Sequence, residues 1–116
     1  MPSARLGDIA YARSGDKGSG ANVGVLTYNH AGYEFIYHAL TARVVEDFFK
    51  PMGVGAVVRY ELPNLYAFNF LLPNILAGGG SRSLRIDAQG KTLGQVLLEM
   101  PIDVPGEVLQ SARRQR

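Results

Sequence analysis

The chain has 116 residues, 47% of them hydrophobic and 19% charged, with a formal net charge of +2 and no cysteine. This is the size of one domain with ample material for a core. Disulfides, thiolate nucleophiles and Cys-ligated metals are excluded, and no basic stripe interleaved with aromatics points to nucleic acid.

No apolar run is long enough to span a bilayer, and the N-terminus lacks the apolar core of a leader, so a soluble cytoplasmic protein without a membrane partner is expected. The charged fraction lies below the roughly 25% usual for soluble domains, which points to apolar surface shared in a homo-oligomer or with a partner subunit. Arg113, Arg114 and Arg116 crowd the C-terminus and read as a solvated tail, leaving the body nearly neutral.

In chain order, Leu6–Ala12 reads as a strand, and Asn22–Tyr28 alternates Val23, Val25 and Thr27 against Gly24, Leu26 and Tyr28, a second strand. Between them lies ARSGDKGSGAN, longer than a tight hairpin needs. After a turn at Asn29–Gly32, Tyr33, Ile36, Tyr37, Leu40, Val44 and Phe48 recur at helical spacing as far as Lys50. Pro51 and Gly53 end that helix, and Thr41 is placed to cap a second piece beyond a break near Leu40. Val54–Leu62 is rich in β-branched residues and reads as the central strand, with Val57, Arg59 and Glu61 on one face and Val58, Tyr60 and Leu62 on the other, Tyr60 in the core. Leu65, Phe68, Leu72 and Leu76 suggest a helix interrupted by Pro73, with a strand across Ala67–Leu72 as the alternative. Ser83–Asp87 reads as a strand, and Leu93, Val96, Leu97 and Met100 as a short helix packed on the sheet. Pro101 and Pro105 then mark a fraying end. The expected architecture is α+β: one domain over 1–116, helices covering one face of a largely antiparallel four-stranded sheet, with flexible ends at 1–5 and 103–116.

The glycine-rich loop carries the candidate chemistry. Gly15, Gly18 and Gly20 permit a nest of backbone N–H groups that would hold an anion, with Lys17 and Arg13 as cations and Asp16, Ser14 and Asn22 as polar partners. Three readings stay open: a structural turn with Asp16 paired to Arg13 or Lys17, an anion or ligand corner, and a catalytic site. Arg59 and Glu61 form either a surface ion pair or part of an interface. Asn69, an amide in an apolar run, either satisfies backbone groups or lines a pocket. Gly78–Gly80 reads first as the end of the preceding helix and, with Ser81, Arg82, Ser83 and Arg85, alternatively as a second anion-friendly corner. His30 and His38 are not at metal-ligand spacing, so neither metal nor cofactor is expected.

Taken together, ARSGDKGSGANVGV, LTARVVEDFF, VVRYELPNLYAFNFLL and GGGSRSLRIDAQGKTLGQVLL resemble, in this order, the small AtuA-like ferredoxin-fold domain of acyclic terpene utilisation proteins. The resemblance spans Leu6 to Ile102 and implies a ferredoxin-like α+β sandwich, either fused behind a larger domain or made as a short separate protein, the form this chain resembles. It implies a place in breakdown of acyclic terpenoids or other branched acids as CoA thioesters, beside a larger AtuA-type chain. The matching positions are Arg13 to Gly18 and Asn22, then Arg59, Tyr60, Glu61, Asn69, Ser83, Leu84 and Arg85. Ser19 and Pro73 depart from the pattern, at the loop and at the 65–76 element. The leading expectation is an accessory subunit that self-associates, joins the larger chain and shapes an interface or a pocket for a CoA-type anion. The alternative is a small lyase, hydratase or hydrolase acting on a CoA thioester through Asp16 and Lys17.

Overall fold

Alternation along Gly20–Thr27 buries Ala21, Val23, Val25 and Thr27 and leaves the residues between them half-exposed. A strand with one wet face needs antiparallel neighbours on both sides, and it has them. The computed structural model describes residues 3–75 and 92–113 and, at Lys17, the backbone. In chain order these form β1 (Ser3–Arg5), β2 (Ala10–Lys17), β3 (Gly20–Thr27), α1 (His30–Ala39), α2 (Ala42–Phe49), β4 (Val58–Leu62), β5 (Ala67–Leu72), α3 (Leu93–Leu98), β6 (Pro101–Asp103) and α4 (Gly106–Ala112). The main sheet is antiparallel in the order β2-β3-β5-β4, and β1 pairs with β6 in a separate ribbon. The α+β class, with helices over one face of a largely antiparallel four-stranded sheet, is as the sequence implies.

Directly opposed residues share a face, so the register sorts the sheet into rows. Ala12–Val25–Phe68–Glu61 and Ser14–Val23–Phe70–Arg59 lie on the covered face. There Val23, Val25, Phe68, Phe70 and Leu72 are wholly buried against Tyr33, Ile36, Val45, Phe49 and Leu97 of the helices. Each such Phe contributes about 1.5–3 kcal/mol. Tyr33 of α1 stacks on Phe68 with ring centroids 4.7 Å apart.

The helix boundaries follow from side-chain caps. Asn29 accepts from Gly32 N–H, so α1 starts at His30, inside the stretch read as a turn. Thr41 accepts from Val44 N–H and opens α2, so the break falls where Thr41 implied it. At the other end of the chain, α3 presses Gly94 against β2, and Gly94 N–H donates to Ser14 Oγ (2.6 Å).

Several expectations need correction. Leu6–Asp8 is a 3-10 turn rather than a strand, because Arg5 N–H donates to Asp8 and Leu6 N–H to Met100 O. The long glycine loop is a hairpin: Arg13–Lys17 pair with Gly20–Gly24, and only Gly18 and Ser19 turn, with Gly18 at φ 61°. Leu65, Phe68 and Leu72 do not share a helix; Ala67–Leu72 is a strand between β3 and β4, the alternative reading. β4 is an edge rather than a central strand among the described residues, and Tyr60 is 52% exposed rather than core. The ends expected to be flexible carry structure over most of their length. β1 pairs with β6, and α4 packs on α1, with Asn29 Nδ2 donating to Ser111 O (2.7 Å). The Ser83–Asp87 strand, Gly78–Gly80, Arg114 and Arg116 lie outside the described residues.

Two glycines test this packing in opposite directions. A Cβ on Gly94 would meet Ser14 Oγ at 2.7 Å and Ala12 Cβ at 3.1 Å, whereas one on Gly24 would touch nothing closer than 3.9 Å. Gly94→Ala is expected to cost about 1–2 kcal/mol, overpacking outweighing the roughly 1 kcal/mol helix-propensity gain. Gly24→Ala is expected to be neutral or stabilising by up to about 1 kcal/mol. Urea denaturation of both variants measures the contrast, and equal shifts would contradict it.

Candidate functional site

The helices all lie on one side of the sheet, which leaves the other face without protein cover among the described residues. Its rows are Tyr11–Leu26–Ala67–Leu62, Arg13–Gly24–Asn69–Tyr60 and Gly15–Asn22–Leu71–Val58. Tyr11, Val58, Tyr60 and Leu62 are exposed here, and Leu65, 64% exposed, stands at the rim. Scattered exposed apolar side chains are ordinary, but a contiguous set on one face marks a binding surface. No carboxylate from these four strands stands on it, because Asp16 and Glu61 fall in register with the covered face.

Gly24 has no side chain in the middle of this face, so the sheet is dented there. The resulting trough has a volume of about 450 Å³ and is lined by Arg13, Asn22, Leu26, Tyr60, Leu62, Leu65 and Asn69, among others. Asn22 Nδ2 donates to Asn69 Oδ1 (3.3 Å) across neighbouring strands. The Asn22 carbonyl leans over Gly15, where a Cβ would come within 2.8 Å of Oδ1. The bond to Asn22 engages the Asn69 carbonyl, and the Asn69 amino group and Asn22 Oδ1 remain as polar groups lining the trough or its edge. Arg13 is exposed and makes no hydrogen bond or ion pair among the described residues. The trough therefore offers donors and apolar walls.

A strained turn supports the rim. Tyr66 takes the left-handed conformation (φ 52°, ψ 42°), which costs a non-glycine about 1–2 kcal/mol. Thr27 holds it there, its N–H and Oγ1–H both donating to Tyr66 O at 2.9 and 2.6 Å. The 3-10 turn Pro63–Leu65 before it sends Leu65 outward.

The register divides the residues singled out in the sequence. Arg13, Gly15, Asn22 and Asn69 come together on the uncovered face. Ser14 serves the Gly94 N–H instead, and Asp16 is exposed in register with the covered face, so the Asp16–Arg13 pair does not form. Gly18 makes the hairpin turn, and Lys17 closes the ladder opposite Gly20. With the loop drawn into a ladder, the expected nest of converging N–H groups is absent from it. Ser83 and Arg85 lie outside the described residues.

Arg59 belongs to the covered face and is not a plain surface ion pair. Its Nη1 donates to Tyr37 O (2.9 Å) and Leu40 O (3.0 Å), satisfying carbonyls at the end of α1, and Nη2 donates to Glu61 Oε2 (2.9 Å). Its guanidinium also lies 4.9 Å from the Phe68 ring centroid and 5.1 Å from that of Tyr37. Burial, with Glu61 nearby, pushes the Tyr33 hydroxyl above its ordinary range, although Arg59 opposes this. Sequence reasoning missed Gly24, Leu26, Leu62 and Leu65, whose place becomes visible only once Ala67–Leu72 is recognised as a strand.

Residues 4–103 match the family model of the AtuA ferredoxin-like domain. The chain belongs to that family. No curated protein and no solved structure matches it. The match covers every strand that builds the uncovered face of this AtuA ferredoxin-like domain, and also α3. Among the described residues, no helix is long and apolar enough to cross a membrane, and no group of three or more His, Asp or Glu is placed to hold a metal ion.

Arg59→Ala is expected to destabilise the domain by about 2–4 kcal/mol, since its side chain is only 13% exposed and anchors several charge-assisted bonds. Glu61→Gln, at the wetter end of the pair, is expected to cost less than about 1 kcal/mol. Thermal or urea unfolding separates them. Comparable losses would mean that the ion pair, and not the helix-end contact, is what Arg59 supplies.

Proposed function

We propose that this AtuA ferredoxin-like domain is an accessory subunit that binds a larger AtuA-type chain through its uncovered sheet face. Its setting is the breakdown of acyclic terpenoids or other branched acids as CoA thioesters. The observation that carries the reading is the contiguous exposure of Tyr11, Val58, Tyr60, Leu62 and Leu65 around the Gly24 trough. Charge selects the occupant. A second, identical face carries the same Arg13 charge and no sheet carboxylate to complement it, whereas a different chain need not carry a cation there. The two-part organisation implied by the family resemblance supplies that chain.

The energetics fit a reversible complex. Full burial of a large apolar side chain gives about 1.5–3 kcal/mol, and these are already half covered, so each adds roughly half of that. Five such contributions only modestly exceed the low end of the roughly 4–15 kcal/mol cost of association.

The test mixes the purified chain with the purified larger chain and measures mass by light scattering. A complex is expected, weakened at least tenfold by Tyr60→Asp with Leu62→Asp while circular dichroism stays unchanged. Absence of a complex, or one indifferent to these substitutions, would overturn the proposal. A homodimer lost with the same substitutions would give the face to a second copy instead.

A further inference from the structure

We infer that the Gly24 trough binds a small acid whose carboxylate sits at Arg13 and whose apolar chain lies across the sheet toward Tyr60. This deepens the reading of the uncovered face as a binding surface and rests on it. Three observations converge. Arg13 is a permanent cation without a partner among the described residues, on a face where the four strands place no acid. Beside it, Asn22 and Asn69, hydrogen-bonded to each other, line the trough with further amide donors. Beyond these polar groups the walls are apolar: Leu26, Leu62 and Leu65, with the Tyr60 ring at the far end of the Arg13 row.

Donors at one end and hydrocarbon at the other are complementary to an amphipathic anion. A guanidinium recognises a carboxylate through two parallel charge-assisted hydrogen bonds, which neither an amide nor an alcohol reproduces. Length favours a free acid over an acidic side chain of a partner. The row from Arg13 on β2 to Tyr60 on β4 crosses three interstrand spacings of about 4.8 Å each, well beyond the reach of an Asp or Glu side chain. The volume of about 450 Å³ is also within the range of small-molecule sites, although the trough is open above. The chain alone therefore binds weakly, and a partner seated on the apolar rim closes the site and tightens it.

The experiment titrates the isolated, isotopically labelled chain with sodium octanoate below micelle-forming concentration, and in parallel with octanamide and with sodium acetate. Backbone amide signals and the side-chain amides of Asn22 and Asn69 are followed by NMR. Octanoate is expected to saturate in the millimolar range and to shift Gly24, Asn22 and Asn69. Octanamide and acetate are each expected to bind at least fivefold more weakly. Arg13→Gln is expected to weaken octanoate at least fivefold while leaving octanamide unchanged, which a general loss of structure would not do. Equal binding of octanoate and octanamide, shifts confined to the helical side, or indifference to Arg13→Gln would overturn the inference. Failure here with the larger complex intact removes only the ligand; octanoate binding without any complex removes the accessory-subunit reading instead.

Discussion

The pairing of β3 with β5 sets almost everything else in this molecule. Val23 lies against Phe70 and Val25 against Phe68, all four wholly buried under the helices. Because side chains alternate along a strand, a one-residue slip of β3 would turn Val23 and Val25 to water and bring Gly24 inside, and a slip of β5 would do the same to Phe68 and Phe70 and bring Asn69 inside. The core thus holds the register rigidly, and the register in turn aligns Arg13, Gly24, Asn69 and Tyr60 in a single row on the opposite face. The site is a by-product of the buried rows: Arg13, Gly24, Asn69 and Tyr60 are held in place by strands whose opposite face makes the core.

The two arginines of the sheet show what this sorting does to similar side chains. Arg59 stands on the covered face, where its guanidinium closes the end of α1 and lies over Phe68 and Tyr37. Its charge is consumed by the fold. Arg13 stands on the other face, two residues along a strand from Tyr11, with nothing of the described chain to neutralise it. An unneutralised guanidinium amid apolar surface presents both a charge to satisfy and area to cover, the combination on which the proposed recognition of an anion with a hydrocarbon body rests.

Much of this was legible in the sequence. The alternation of Asn22–Tyr28, the cap at Thr41, the helix at Leu93 and the ordered motif blocks each point to what the structure contains. The misreadings have identifiable physical causes. Leu65, Phe68, Leu72 and Leu76 happen to fall at helical spacing, and Ala67 and Leu71 fill the gaps, so the period-two signal of Phe68, Phe70 and Leu72 is masked. Glycines in ARSGDKGSGAN suggest a loop, yet flanked by strands they simply extend the hairpin, and Gly15 makes room for Asn22. Alternation along β4 sets Tyr60 opposite the charged Arg59 and Glu61 and so, by pattern alone, toward the core. That rule fails where a long side chain can bury its stem and spend its charge on helix carbonyls. The ends, rich in proline and arginine, conceal pairings between β1 and β6 that no local pattern reveals.

The assignment of faces underlies the whole account, and the surroundings of the Tyr60 ring test it most directly. Nuclear Overhauser contacts from that ring to Asn69 and Leu62, with none to Ile36 or Phe49, are what the register demands. Contacts from Tyr60 to Ile36 or Phe49 would place it under the helices, invert the two faces and dissolve the trough.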